Sequence, residues 1–215
     1  MAPGANGTVY IHLEGTAEVA AQLSASIEEA TESAGIKDVY LTLTYESNTV
    51  EYHPILFTLS KWNATADSGN GAYEAVTGCN GVPLAVLAAN INGEDSEFNE
   101  TYVPNPESEL DVSYKLEWEW AFELESNETV TAYTNNSGTL TASSYTFGTD
   151  AVNKMDTLLG QLADDSSSAP DKITVSDGTN NWIISPNSET PNYSMQIAFA
   201  LNISIVQVRE LPDTP

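Results

Sequence analysis

Only one cysteine, Cys79, occurs in the chain. No internal disulfide can form, and no metal centre can be built from cysteine. A buried or indifferent thiol is the reading left for it. Basic residues are also scarce: Lys and Arg total 6 against 31 Asp and Glu, a formal net charge of -25. Such a surface repels nucleic acid and anionic lipid, so neither is expected as a partner. It attracts divalent cations, basic partners or high salt. With so few cations available for ion pairs, low ionic strength should destabilise the compact state. No apolar run approaches the length of about 18 residues that marks a membrane-crossing helix, so no membrane-spanning segment is expected.

Catalytic signatures are equally thin. The only histidines, His12 and His53, lie in alternating patterns beside large hydrophobic residues, which favours packing or surface roles. No HExxH, GxSxG or phosphate-loop motif occurs. A Ser-His-Asp triad is not forbidden by residue order, but nothing points to one. Among so many acids some pair will always suit glycosidic chemistry, so such a pair discriminates nothing. The expectation is a protein that is not an enzyme.

The opening, MAPGANGTVYIHLEG, has neither the basic start nor the apolar stretch of a signal peptide. The expectation is a mature exported form with an added Met. Seven positions match Asn-x-Ser/Thr. Asn6, Asn63, Asn99, Asn127, Asn135 and Asn192 lie beside expected turns and are candidate glycosylation sites. The seventh, Asn202, falls inside an expected strand. Acidic, Lys-poor and rich in Thr, Ser and Asn, the composition reads as an extracellular or cell-surface protein. A salt-adapted soluble protein would look similar, and a salt requirement without a divalent requirement would identify it.

What the chain does have is apolar material for a core, 41% of residues, arranged mostly with period two. The stretch LEWEWAFELE places Leu116, Trp118, Trp120, Phe122 and Leu124 on one face. Glu117, Glu119, Glu123 and Glu125 lie on the other. This is a strand with one buried face and one wet face. A row of carboxylates on an already acidic chain raises the question of what, outside the chain, tolerates or uses them.

Other strands are expected over Thr8–Leu13, Thr16–Ile27 (where Ala and Glu also permit a helix), Val39–Tyr45, Val50–Ser60 (interrupted by Pro54), Thr129–Thr134 and Thr139–Phe147. The turn Asn135-Asn136-Ser137-Gly138 joins the last two. Ile173–Val175 and Trp182–Ile184 flank an Asp-Gly turn. Tyr193–Val208 alternates over its whole length; a strand this long is expected to be central or to bend between two sheets, with one core face. Pro83–Ala89 suits a buried strand or a helical turn. The one convincing helix is Ala151–Ala163, with Val152, Met155, Leu159 and Leu162 on one stripe. The fold class is therefore all-β: a jelly-roll-like β-sandwich of roughly 8–11 strands with one amphipathic helix in a crossover. One domain, 15–215, is expected, with an acidic loop insertion at about 90–109 and residues 1–14 as leader and first strand.

Two ligand chemistries follow from residue type. Hard cations such as calcium take six to eight oxygens. Glu94, Asp95 and Glu97, then Glu107, Glu109 and Asp111, then Asp164 and Asp165 offer them, although none fits an EF-hand loop. A cation shared between two acidic faces would turn their repulsion into attraction. Exposed tryptophans can also stack on sugars. Trp118 and Trp120 share the apolar face of their strand and read as core, whereas Trp62 and Trp182 lie near turns and are the better platform candidates. A glycan-binding module is thus the alternative function.

Four features carry a family resemblance: the opening GTVYIHLEGTAEVAA, Val39–Tyr45, the helix Val152–Leu162 and the closing strand Tyr193–Val208. In their order the chain resembles the camelysin-like biofilm-matrix fibre subunits and their archaeal relatives, the bundling-pilus and cannula-tube subunits. The resemblance covers about half of the chain; the loop at 90–108 has no counterpart. It implies an extracellular β-sandwich whose partners are copies of itself in a head-to-tail polymer, made by donor-strand exchange and promoted by calcium in cannula-like members. The donor would be Thr8, Val9, Tyr10, Ile11, His12 and Leu13. Its alternation, between a loose start and Gly15, suits β-augmentation of a neighbour as well as pairing within its own sheet.

Overall fold

The structure, a computed structural model, describes residues 4–16, 19–29, 40–93, 96, 98, 100–102, 110–120, 129–163, 170–186 and 199–207. The fold is all-β and sandwich-like, mostly antiparallel, with few helices. Thirteen strands occur among the described residues. In chain order they are β1 (Asn6–Gly15), β2 (Ala21–Glu29), β3 (Leu41–Tyr45), β4 (Asn48–Tyr52), β5 (Ile55–Asn63), β6 (Ala72–Ala75) and β7 (Glu100–Tyr102). They continue with β8 (Leu110–Trp120), β9 (Thr129–Asn136), β10 (Thr139–Gly148), β11 (Ile173–Ser176), β12 (Asn181–Pro186) and β13 (Phe199–Gln207). The helices are the single turn α1 (Ala66–Gly69), α2 (Leu84–Asn92) and α3 (Thr149–Ala163).

Contacts group the chain into two compact units, each assembled from separated segments. The first contains the six-stranded sheet β10-β9-β4-β3-β12-β11 and α3. Its strands are joined by tight hairpins whose sequences demand them. Ser137 (φ 55°) and Gly138 (φ 92°) form the two-residue turn between β9 and β10, both with the positive φ of a type I′ connection. Asp177-Gly178 turns β11 into β12. β10 then bulges between Ala142 and Thr146, and Tyr145 and Phe147 beyond it meet Trp182 of β12 at ring separations of 4.7 and 5.6 Å. β10 and β12 are far apart in sheet order, so the sheet must curl. Helix α3 touches β9, β10 and β11, hence both edges of the sheet. Val152, Met155, Leu158 and Leu159 are buried there, together with Leu41, Leu43, Ala132, Phe147, Trp182 and Ile184. The periodicity that identifies α3 in the sequence is the stripe that fills this curl.

The second unit holds the three-stranded sheet β13-β2-β7, α2 and most of the four-stranded sheet β1-β8-β5-β6. β2 buries Ala21, Leu23, Ala25 and Ile27, the period-two row expected of a strand. α2 packs on β2, and its Leu84, Leu87 and Ile91 are buried. β7 pairs only Ala21–Leu23 of β2. Farther along, Asn92 accepts from the Ile27 N–H through Oδ1 (2.8 Å) and donates through Nδ2 to the Ile27 carbonyl (3.0 Å). A side-chain amide thus stands in for a strand residue where the ladder stops.

Two expectations change. Pro54 does more than interrupt a strand: β4 and β5 lie on either side of it and join different sheets, since proline cannot donate to a continuing ladder. The closing strand is not central among the described strands, and its first part, residues 193–198, lies outside the described residues. β13 pairs β2 along its full length yet is an edge among the described strands, with Ile205 and Val206 more than half exposed. Alternation of apolar residues reports a face suited to burial; it does not report what is available to cover that face.

Candidate functional site

The four-stranded sheet presents an exposed face built by alternation. On β8, Tyr114 and Leu116 point to the core, while Asp111, Ser113, Lys115, Glu117 and Glu119 form the opposite row. The wet face expected from the Glu-Trp stretch is present as far as Trp120; residues 121–128 lie outside the described ones. Trp120 is fully buried, as expected, and Trp118 is half-buried. Part of the charge is balanced: the Lys115 ammonium lies 2.8 Å from a Glu117 carboxylate oxygen.

β1 lies beside β8 at the edge of this sheet. Gly7 faces Trp118 and His12 faces Ser113, so the two strands run in opposite directions. Backbone bonds from Gly4 N–H to the Trp120 carbonyl and from Trp120 N–H to the Ala5 carbonyl, both 2.8 Å, extend the contact. Not one side chain of β1 is fully buried. Ile11 and Leu13 are half-buried, Thr8 and His12 are exposed, Val9 is 51% exposed and Tyr10 67%. His12 shares a hydrogen bond with Ser113 Oγ (2.8 Å) and lies 3.5 Å from Glu14 and 3.7 Å from Asp111.

At the other end of the face the rings gather. Trp62 of β5 pairs with Tyr73 of β6 across the ladder, with ring centroids 5.2 Å apart at 67°. Tyr10 lies 6.0 Å from Tyr73, and Lys115 Nζ stands 5.3 Å from the centre of the Tyr73 ring. Trp62 is 42% exposed. Trp182, the other tryptophan expected near a surface, is instead fully buried among Tyr45, Tyr145 and Phe147. Its proximity to a turn reflects the Asp177 side chain, which accepts its Nε1–H at 2.9 Å. Tyr10, Tyr73 and Lys115 carry no motif that sets them apart in the sequence; only strand register brings them to Trp62.

Of the acids expected to bind calcium, Asp111 alone lies among the described residues. Glu94, Asp95, Glu97, Glu107, Glu109, Asp164 and Asp165 lie outside them. Asp111 is exposed beside His12, and no group of three or more His, Cys, Asp or Glu that could hold a metal occurs among the described residues. Of the glycosylation candidates, Asn99, Asn127 and Asn192 lie outside the described residues. Asn6 and Asn135 are exposed. Asn63 accepts from Thr65 N–H (3.0 Å) and Thr65 Oγ1 (2.8 Å), an Asx turn closed by its own sequon threonine. Asn202 is exposed on β13.

Two titratable clusters lie inside the first unit. Asp156 of α3, 5% exposed, accepts at Oδ1 from the Tyr52 hydroxyl (2.7 Å) and from Trp120 Nε1–H (3.2 Å). Burial pushes its carboxyl up to about 6, outweighing both hydrogen bonds. His53, also buried, bonds Glu51 at 3.1 Å and stacks on Tyr40. Burial would raise Glu51, but the bonds from His53 and Asn135 leave it below the usual carboxylate value. Both clusters satisfy buried polar groups within the core, and the Cys79 thiol is buried as expected. No helix among the described residues is long and apolar enough to cross a membrane. Among known protein families, curated proteins and solved structures, none matches this chain.

Proposed function

We propose that this chain is a non-catalytic structural subunit of an extracellular filament or tube, polymerising head to tail through donation of β1. The observation that carries the reading is the state of β1: an edge strand among the described residues, paired there with β8, without a single fully buried side chain. Such a strand is held mainly by its ladder, and a ladder of equal length can form with another copy. The slot that β1 would fill in a neighbour is the one it occupies at home, beside β8. Exchange therefore costs few contacts, and a head-to-tail exchange that does not close builds a filament. Residues 16–20 separate β1 from β2.

Calcium enters the proposal as a bridge between acids of neighbouring copies. A net charge of -25 opposes the approach of identical subunits, and a shared divalent ion offsets that repulsion. The sequons and the scarcity of Lys support a cell-surface location.

Deleting residues 1–13 tests the reading. The intact chain is expected to form ordered polymers in negative stain with millimolar calcium at fixed ionic strength, and the truncated chain to remain monomeric by light scattering. Polymers that survive the truncation would overturn strand donation. Polymers formed equally well without calcium would remove the ion and leave the strand.

A further inference from the structure

We propose that Tyr10, Trp62 and Tyr73 form a stacking platform for a neutral glycan, with Lys115 and Glu117 as its hydroxyl-binding groups. This goes beyond the filament reading and does not depend on it. Three rings from three strands converge on one exposed face, tilted at 57° and 67° to their neighbours. The edge-to-face contact of Trp62 and Tyr73 covers part of one ring, yet Trp62 and Tyr10 remain 42% and 67% exposed. Clustered exposed rings offer apolar area that a stacked ligand can bury while their polar ends stay wet.

The platform is fixed. Gly71 adopts φ +80° and lies so close to the Trp62 ring that a Cβ there would collide with it. The indole therefore rests on the Gly71 backbone, at the end of the connection that leads into β6, and its strand is held by the β5–β6 ladder. A pre-positioned ring loses little conformational freedom when a ligand arrives.

The chemistry beside the rings selects the ligand. A pyranose offers apolar C–H faces and an equatorial belt of hydroxyls that both donate and accept. Lys115 Nζ, held over Tyr73, supplies donors, and Glu117, 2.8 Å from it and 41% exposed, supplies acceptors. Nucleobases would stack equally well, but their phosphates meet a chain of net charge -25. Acidic polysaccharides are disfavoured for the same reason. A neutral sugar chain satisfies the rings, the polar pair and the field together.

The test is affinity electrophoresis of the full chain in native gels containing mannan, mixed-linkage β-glucan, galactomannan or xylan, each compared with a sugar-free gel. At least one polysaccharide is expected to retard the chain. Trp62→Ala should weaken that retardation by about tenfold in apparent affinity, and Tyr10→Ala should weaken it less. Trp62→Phe, which keeps a ring, should restore part of it. Circular dichroism of each variant checks the fold, which an exposed side chain should not disturb. Migration unaffected by every polysaccharide would overturn the proposal, as would retardation of Trp62→Ala equal to that of the parent chain. Negative stain of Trp62→Ala separates the two readings, because its polymers should match those of the parent.

Discussion

The Tyr52 hydroxyl donates to Asp156 at 2.7 Å inside the first unit, and Trp120 Nε1–H donates to the same carboxylate oxygen. A strand of the six-stranded sheet, the end of the Glu-Trp strand and helix α3 are thereby tied to one buried acid. With its carboxyl raised from 3.8 to about 6, the folded protein binds a proton there that the unfolded chain has already released. The contribution of Asp156 to stability is therefore greatest below about pH 4 and is lost as pH rises through 6. The difference amounts to about 2–3 kcal/mol. Asp156→Asn keeps an oxygen for both donors and cannot ionise. Urea unfolding at pH 4, 5, 6 and 7 should show the variant gaining on the parent across that window. Parallel pH profiles for the two proteins would contradict the assignment.

Asp177 behaves in the opposite sense. Burial is the largest single effect and raises it, but hydrogen bonds from the Asn180 backbone, the Trp182 indole, the Thr179 backbone and the Asn180 side chain together outweigh that and bring it down to about 2. Its contribution is present above the unfolded value of 3.8 and is lost as pH falls towards 2. Asp177→Asn replaces one accepting oxygen with a donor, which cannot satisfy both Trp182 and the turn. A loss of about 1–2 kcal/mol is expected at pH 7, with a shifted Trp182 emission. A variant as stable as the parent would show that the turn does not depend on the carboxylate.

Asn92→Ala removes the amide that pairs with both backbone groups of Ile27. The expected cost is about 1–3 kcal/mol, the cost of leaving buried donors or acceptors unpaired. Hydrogen exchange should localise it, with faster exchange at the Ile27 amide and little change in β3 and β4. Unchanged protection at Ile27 would mean that water replaces the side chain without loss.

Gly7 has no room for a side chain: a Cβ would meet the Trp118 ring at 2.5–2.8 Å. Gly7→Val should push β1 away from β8 at a cost of about 1–3 kcal/mol. Amides of residues 8–13 should then exchange faster than in the parent, while those of the six-stranded sheet keep their protection. Equal exchange throughout would show that β1 adjusts without opening.

Several features were readable from residue order. The period-two rows of β2, β3, β8 and β10, the Asn-Ser-Gly turn and the apolar stripe of α3 each encode a local geometry that side-chain spacing alone dictates. The all-β class followed from them, because strands bounded by turn residues have few other ways to pair. The wet face of β8 was also legible, since alternation separates Glu117 and Glu119 from Leu116 and Trp120 wherever the strand is placed.

The rest depends on which strands become neighbours. That Trp182 is buried follows from sheet curl and a bulge in β10, whereas Trp62 is exposed on the four-stranded sheet; both tryptophans stand beside equally plausible turns in the sequence. That β13 is an edge among the described strands was invisible to its own alternation. The platform joins residues as distant as Tyr10 and Lys115, and the Asp156 cluster joins Tyr52, Trp120 and α3. Periodicity acts within an element and so fixes which face can be buried; long-range pairing, set by the whole chain, decides what that face meets.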